Sequence, residues 1–255
     1  MEKLRFKDEV GKDYPEWIKN KLSEVGFLKT SSIDKLIHPN EEVLSLVNYM
    51  DVYKQKKVNN ETVKNMPLTS ANKNQIENNN LKKGDVLFTP SSETTRDIGH
   101  TLSIKEDINN AVYSYHLMRF RPSIEFDPDF LNYVIKPKKS YFQLTQFAQG
   151  LTRYTLSIKN LNNLKFDYPT SITEQNKIGN YFSNLDTVIN NKQRQLELME
   201  KYKEDLLDKI FNQKIRFKDE NGCDYPDLFK TNVGYYVSIH TGKLNANCQI
   251  ENGKY

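Results

Sequence analysis

One stretch of the chain, TPSSETTRDIGHT at residues 89–101, is dense in side-chain hydroxyls around a single arginine, Arg96. Hydroxyls and a guanidinium can contact phosphates, and an arginine can also form a bidentate contact with guanine in the major groove. In an ordinary solvated loop, the same Ser and Thr side chains would satisfy the loop's own backbone. The stretch is long and polar for a simple connection, which favours a binding role. The candidates for contacts with base edges are Ser91, Ser92, Thr94, Thr95 and Arg96.

A second stretch, QGLTRYTLS at residues 149–157, places Arg153 and Tyr154 after a turn at Gly150. It lies in a window, residues 130–166, that contains no acidic residue but several lysines and aromatic residues. Such a window can neutralise phosphates and release counterions. A solvated basic face, or an arginine that caps a carboxylate, would give the same pattern. The candidates for contacts with a DNA backbone are Lys136, Lys138, Lys139, Arg153 and Tyr154.

The sequence lacks the residue spacings of several common catalytic and metal sites. No two prolines are adjacent, which excludes the Asn/Asp-Pro-Pro-aromatic motif of amino-methyltransferases, and no two glycines are separated by one residue, which excludes a Gly-x-Gly-x-x-Gly loop. No lysine follows an acidic residue by two positions, so the Asp/Glu-x-Lys half of many nuclease sites is missing. The histidines and cysteines form no His-x-x-x-His or Cys-x-x-Cys pair. We therefore expect a binding protein without metal or cofactor, and not an enzyme.

Composition indicates a folded protein. Hydrophobic residues make up 37% of the 255 residues, enough to build a core, while the net charge of +4 is only a weak indication of a polyanionic partner. No apolar run approaches the roughly 20 residues of a transmembrane helix, and the charged N-terminus does not resemble a signal peptide. The two cysteines fit a reducing compartment. We expect a cytoplasmic protein with no membrane partner.

A 13-residue motif occurs twice. Residues 4–16 have the sequence LRFKDEVGKDYPE and residues 215–227 the sequence IRFKDENGCDYPD, with nine identical positions. The motif predicts a turn at each glycine and, in the first copy, a short helix over residues 15–22 with Trp17 and Ile18 facing inward. We expect the motif to anchor each unit to the preceding helix without contacting DNA. Too few residues follow the second copy to close a core, so we expect the polar C-terminal segment to be disordered or to dock elsewhere.

Between the first motif and the helix described next, residues 23–170 predict a β-rich domain with some helix. Strands are predicted at residues 43–53, 86–88, 98–104 and 111–120, the last two as a pair, with helix or strand at 130–135 and helix at 141–149. His100 and His116 flank the predicted pair and could touch DNA, but packing or surface roles explain them better.

A long helix is predicted over residues 171–214. A serine or threonine N-cap precedes Glu174 in the first turn. Apolar residues then recur at spacings of three and four, interrupted by Lys192 and Lys203, which is typical of a coiled coil. A helix of about 38 residues would be roughly 57 Å long. The seam predicted to pair with another helix consists of Ile178, Phe182, Leu185, Ile189, Leu196, Met199, Leu206 and Ile210.

The order of these features resembles that of specificity (S) subunits of type I restriction–modification systems. The most specific part is the pattern Pro-x-x-x-x-Glu-Gln-x-x-Ile, which begins at Pro169 and ends at Ile178. LNNLKFDYP at residues 161–169, GDVLF at residues 84–88 and the repeated motif also carry the resemblance, which extends over nearly the whole chain.

The resemblance implies an α+β fold, in which a mixed, β-rich target-recognition domain is followed by a long coiled-coil helix. It divides the chain into a motif and short helix (1–22), the DNA-binding domain (23–170), the spacer helix (171–214), and a restarted motif with a truncated second domain (215–255).

The resemblance also implies the partners: double-stranded DNA, modification (methyltransferase) subunits and an ATP-dependent restriction subunit, with no catalysis by the chain itself. Full subunits of the family have two domains and two helices, whereas this chain has one of each. We therefore expect a homodimer through the helix that reads a palindromic split site, or a product that assembles only with modification subunits. The alternatives are a coiled-coil interaction adaptor without DNA specificity and, with less support, an atypical metal-dependent endonuclease.

Overall fold

The computed structural model describes residues 5–238. By its contacts the chain divides into two compact units, Met1–Asn190 and Asn191–Tyr255, with the boundary inside the long helix. The strands are β1 (Ile18–Lys21), β2 (Gly26–Thr30), β3 (Glu42–Val47), β4 (Leu68–Ala71), β5 (Val86–Phe88), β6 (Ser91–Ser92), β7 (Thr101–Ser103), β8 (Ala111–Tyr113), β9 (Met118–Pro122), β10 (Tyr154–Thr155) and β11 (Lys165–Tyr168). The α-helices are α1 (Leu22–Val25), α2 (Tyr49–Tyr53), α3 (Lys73–Asn79), α4 (Pro128–Val134), α5 (Lys138–Phe147), α6 (Ile158–Leu161), α7 (Ile172–Phe211) and α8 (Val233–Tyr236), with 3₁₀ turns at Thr62–Asn65 and Thr95–Asp97.

Two sheets build the core of the first unit. One is antiparallel, in the order β2-β9-β5-β7, and the other has the order β4-β3-β8, in which β3 and β8 run parallel. Strand β5 is buried on both faces because its side chains alternate. Val86 and Phe88 pack with Phe130 in the main core, and Leu87 packs with Tyr113 in a second core. The α+β fold predicted from the sequence is therefore confirmed.

A turn precedes β5. Gly84 has a φ of 89°, a left-handed conformation that favours glycine. Next to it, the fully buried carboxylate of Asp85 accepts two hydrogen bonds of 2.7 Å from Arg121 and one of 2.7 Å from the backbone N–H of Lys82. The paired charge and the glycine together fix the entry into the central strand.

The prediction of a short helix over residues 15–22 is wrong for most of that range. Residues 18–21 form β1, antiparallel to β11, and only α1 is helical. Ile18 lies opposite Tyr168 and is exposed, contrary to expectation. Trp17 is 37% exposed, but its ring lies 6.1 Å from that of the buried Phe130, so it does face the core. Pairing with a strand near the end of the domain overrides the local preference, as tertiary context often does.

The apolar run at residues 43–53 forms a strand and a helix instead of one strand. Strand β3 ends at Val47, and α2 follows. Asn48 and Asp51 form a capping box, in which the Asn48 backbone N–H donates to the Asp51 carboxylate at 2.8 Å.

The predicted strand pair at 98–104 and 111–120 is also wrong. Strand β7 pairs with β5, β8 pairs with β3, and β9 lies between β2 and β5. Hydrophobic alternation identifies strand residues but does not determine their partners.

The long helix is confirmed as α7, whose 40 residues correspond to about 60 Å. Its first turns are buried against the domain. The Gln175 side chain donates to the Pro169 carbonyl at 2.8 Å and accepts from the Asp127 backbone N–H at 3.0 Å. At Gly179, an added Cβ would lie 2.3 Å from Asp127 Oδ1, so only glycine permits this approach of helix and loop.

The first copy of the motif docks on the start of α7, the helix that follows its domain, and not on a preceding helix as we expected. The Arg5 guanidinium donates three hydrogen bonds of 2.9–3.2 Å to the Glu174 carboxylate, and Trp17 Nε1 donates another at 3.1 Å. Glu174 is only 1% exposed, and its carboxylate raises the pKa of Arg5, chiefly through the hydrogen bonds. The two ends of the first unit are thereby joined.

We expect Glu174→Gln to lower the free energy of unfolding by about 3 kcal/mol, because it leaves a partly buried guanidinium without its counter-charge. Urea denaturation followed by circular dichroism measures this change, and the denaturant slope should stay constant. Glu197→Gln on the exposed part of α7 is the control and should change stability by less than about 0.5 kcal/mol. Equal effects of the two substitutions would contradict the importance of the Arg5–Glu174 pair.

Candidate nucleic-acid interface

The two stretches that the sequence marked as functional lie side by side as a short ribbon. Strand β6 pairs antiparallel with β10, so that Tyr154 lies opposite Ser92 and Thr155 opposite Ser91. The Arg153 guanidinium donates to Ser91 Oγ at 3.0 Å across 62 residues of sequence. We refer to residues 89–97 and 149–156 as the ribbon. Each stretch was predicted separately, and the sequence contained no indication that they pair.

The second half of the ribbon is a tight turn. Gln149 and Thr155 exchange backbone hydrogen bonds of 2.8 and 2.9 Å. Gly150 has a φ of 138°, and an added Cβ there would lie 2.0 Å from the Arg153 carbonyl oxygen. Between these residues, Leu151 is 96% exposed and Arg153 is also exposed. The glycine is therefore what allows the turn to project an apolar and a cationic side chain into solvent.

The base-edge candidates occupy different environments within the first half of the ribbon. Arg96 and Thr94 are exposed at the 3₁₀ turn, and Ser91 is half-buried beside Arg153. Ser92 is 7% exposed, and its hydroxyl accepts from the Thr94 backbone N–H at 3.3 Å. Thr95 is half-buried, and its carbonyl accepts from the Tyr141 hydroxyl at 3.4 Å. Arg96 and Thr94 are thus better placed for an external ligand than Ser92.

Helix α2 brings two tyrosines to the ribbon that sequence reasoning missed. The Tyr49 hydroxyl donates to the Ser91 carbonyl at 2.9 Å, and the Tyr53 hydroxyl donates to the Asp97 carboxylate at 3.1 Å. Burial raises the pKa of Tyr49, and the hydrogen bond to Asp97 raises the pKa of Tyr53, so both remain donors at neutral pH. Their spacing of four residues after the capping box at Asn48 was the available signal.

Asp97 also binds a histidine. His100 Nε2 lies 2.7 Å from Asp97 Oδ1, and the rings of His100 and Tyr53 have centroids 4.8 Å apart. The carboxylate within the ribbon is therefore surrounded by donors, which offsets its repulsion of a polyanion.

A further aromatic pair lies within electrostatic range of Arg153. The Tyr115 and His116 rings lie 3.9 Å apart between centroids. Partial burial lowers the pKa of His116, and the charges of Lys35 and Arg153 lower it further, which places both cations within electrostatic range of the imidazole. Lys35 and Arg153 are both exposed cations.

The predicted lysines do not join the ribbon through any contact among residues 5–238. Lys139 donates to Asp167 at 2.8 Å, and this bond raises the pKa of Lys139. The Asp167 carboxylate balances the positive charge of the lysine, which stays protonated. Lys136 lies over the Tyr133 ring, 4.9 Å from its centroid, and desolvation there lowers the pKa of Lys136. Lys138 is exposed at the start of α5.

The backbone and the side chain of Tyr154 lie in different environments. Its backbone belongs to the ribbon, whereas its half-buried ring packs against the main core. Of the five backbone candidates, Arg153 is the one whose side chain is part of the ribbon surface.

The predicted pairing seam of α7 is only partly free. Ile178 is half-buried against the domain's own core, and the Phe182 ring lies 5.4 Å from that of Tyr133. The other two seam residues of the first unit, Leu185 and Ile189, are exposed. In the second unit Leu196 and Met199 are exposed, while Leu206 and Ile210 are half-buried.

Among residues 5–238 no group of three or more His, Cys, Asp or Glu side chains is arranged to hold a metal ion. No helix in that range combines the length and apolar character needed to cross a bilayer.

The comparison with protein families decides the membership of the chain. Residues 15–200 match the family described as type I restriction modification DNA specificity domain, which is well over half of the sequence. The chain belongs to this family. It therefore carries a DNA specificity domain, as the resemblance in its sequence implied. No curated protein sequence matches the chain.

Solved structures share the fold. A type I restriction–modification S subunit from M. genitalium is 16% identical with a TM-score of 0.50, and the match covers 82% of this chain and 48% of that one. The HsdS subunit from Thermoanaerobacter tengcongensis is 19% identical with a TM-score of 0.51, over 84% and 53%. A chain from a study of assembly and conformational transition of the type I R-M system is 17% identical with a TM-score of 0.51, over 79% and 47%. The chain thus spans about half the length of the structures it matches.

We expect Gly150→Ala to open the ribbon locally. A side chain at this φ, 2.0 Å from the Arg153 carbonyl, costs more than about 1 kcal/mol, so the Thr155 amide should exchange with deuterium roughly tenfold faster or more. Hydrogen exchange measured by NMR or mass spectrometry tests this. Gly234→Ala, where an added Cβ meets nothing within 4 Å, is the matched control. Unchanged exchange at Thr155 would show that the turn does not require glycine.

Proposed function

We propose that the chain reads one half of a split DNA target through the ribbon and the aromatic residues around it, and that it performs no catalysis itself. The observation that supports this most is the pairing of β6 with β10, because it joins two separately predicted stretches in a member of a DNA-specificity family. The hydroxyls, arginines and tyrosines on this surface are the groups that contact phosphates and base edges.

Within this proposal, Arg96 and Thr94 contact base edges, and Arg153 contacts the phosphate backbone or a base edge close to it. The hydrogen bond that Arg153 donates to Ser91 Oγ holds the guanidinium before DNA arrives, which reduces the entropy lost on binding. Exposed Lys35 is a further candidate for a contact with phosphate. The exposed Glu93 introduces a negative charge, which suits an amino group of cytosine better than a phosphate.

We further propose that α7 sets the spacing between two recognition domains and binds partner subunits. Its exposed seam supports pairing with the helix of a second copy, which would give a homodimer and a palindromic split site. In this proposal the modification subunits and the ATP-dependent restriction subunit bind to the assembly and supply methylation and cleavage.

The exposed seam also favours the second candidate, a coiled-coil adaptor without DNA specificity. DNA binding by the complex distinguishes the two, since an adaptor would give no preference between a target duplex and a scrambled one.

We expect Arg96→Ala to weaken binding to the selected target by about 1–3 kcal/mol while leaving binding to scrambled duplex nearly unchanged. Lys138→Ala should slightly weaken binding to both duplexes. It should also reduce the slope of log affinity against log salt concentration by about one. The target is first selected from a random duplex library with the wild-type chain and modification subunit, and affinities are then measured by fluorescence anisotropy at two salt concentrations.

Arg194→Ala, on an exposed turn of α7, serves as the control and should alter neither affinity. If Arg96→Ala and Arg153→Ala both bind the selected target as tightly as wild type, the ribbon is not the DNA interface.

We expect Leu196→Asp to abolish self-association, because it places a charge in the apolar seam. Leu198→Asp is a matched control: Leu198 is 60% exposed, close to the 57% of Leu196, but lies outside the seam. Sedimentation velocity over a range of concentrations gives the oligomeric state. A wild-type monomer at all concentrations, or equal effects of both substitutions, would contradict pairing through this seam.

A further inference from the structure

The two copies of the repeated motif have the same internal geometry. In each, an aspartate carboxylate, that of Asp8 or Asp219, accepts from the backbone N–H groups two and four residues later at 2.7–2.9 Å. The glycine three residues after that aspartate has a φ of 81° in the first copy and 79° in the second. Both copies therefore fold into the same loop, although each belongs to a different unit.

The arginine of the motif has the same internal anchor in both copies. Arg5 donates to the Pro15 carbonyl at 2.7 Å, and Arg216 donates to the Pro226 carbonyl at 2.7 Å. Each guanidinium is thus held against its own loop, with further donors available for another acceptor.

In the first copy, the outer surface of this loop binds a helix start. Besides the pair of Arg5 with Glu174, the Phe6 ring lies 5.9 Å from the Tyr181 ring, and Lys177 Nζ donates to the Lys7 carbonyl at 2.7 Å. The three helix residues are spaced i, i+3 and i+7, so they form one face of α7.

In the second copy, the corresponding side chains have no such partner among the described residues. The hydrogen bonds of Arg216 go to Asp227 and to the carbonyls of Tyr225 and Pro226, all within its own loop. Phe217 is 71% exposed, whereas its counterpart Phe6 in the docked copy is 36% exposed.

We propose that residues 215–228 form a docking surface for a helix start on another polypeptide. The partner helix carries a carboxylate in its first turn, a lysine three residues later and an aromatic residue four residues after the lysine. In the partner, no copy of the motif covers the helix face that bears these three residues. Charge complementarity with Arg216, and the occupied first copy in the same chain, support this partner. The inference does not depend on DNA recognition.

The surface should bind more weakly than the first copy binds its helix. The first copy uses Trp17 to donate to the helix carboxylate, and the second copy has Leu228 at that position. The first copy is also attached to its helix within one chain, which raises its effective concentration. The start of α7 in an intact second copy of this chain is therefore a poor target for the second motif, because its own first motif already occupies it.

The test uses a donor chain of residues 1–255 in which Arg5→Ala and Phe6→Ala uncover the Glu174 helix start. The receptor chain carries a photo-reactive benzoyl-phenylalanine in place of Phe217. We expect ultraviolet cross-links from position 217 to donor residues 174–181, identified by mass spectrometry. Their yield should be at least tenfold higher than with a donor that keeps its own motif.

Arg216→Ala in the receptor, or Glu174→Ala in the donor, should reduce the cross-link to background. Leu196→Asp in both chains removes pairing through the α7 seam and should leave the cross-link intact. The cross-link therefore tests docking on residues 215–228 separately from pairing of the two α7 helices. If the double variant lacks the circular dichroism of the wild type, Arg5→Ala alone serves as donor. A yield unaffected by Arg216→Ala, or equal for covered and uncovered donors, would overturn the proposal.

Discussion

The buried carboxylate of Glu174 fixes the point at which the recognition domain joins its helix. It receives hydrogen bonds from Arg5 and Trp17, both near the N-terminus, while the adjacent Gln175 accepts one from Asp127. A buried charge is tolerated only when its hydrogen bonds are satisfied, so small displacements of the helix start would be costly. The first turns of α7 therefore have one stable position on the domain.

This constraint joins the two ends of the domain. The Arg5–Glu174 contact spans 169 residues of sequence, and strand β1 pairs with β11 close to the same place. These two contacts hold together the two ends of the chain segment that forms the domain. The loops between them are therefore available for binding. The ribbon is formed from such loops.

Features with local signals were predictable from the sequence. Helix α7 has a 3-4 apolar pattern from Ile178 to Ile210, interrupted at Lys192 and Lys203, and β5 is a short apolar run. Features that depend on distant partners were not. Residues 18–21 became a strand because β11 supplies a partner, and Tyr49 reached the ribbon because Asn48 ends β3 and caps a helix. The pairing of β6 with β10 had no sequence signal, since two-residue strands carry no periodicity.

The exposed side chains of the surface proposed to read DNA lie outside the buried cores that hold the domain together. Arg96, Arg153 and Leu151 are exposed, and exchanging such side chains removes no buried contact, so it should alter stability by less than about 0.5 kcal/mol. The turn itself depends on Gly150, and the first strand of the ribbon depends on Tyr49. A recognition surface built in this way can change its specificity through its exposed residues alone. The position of the domain on its helix, which the Glu174 contacts fix, would be unaffected by such changes.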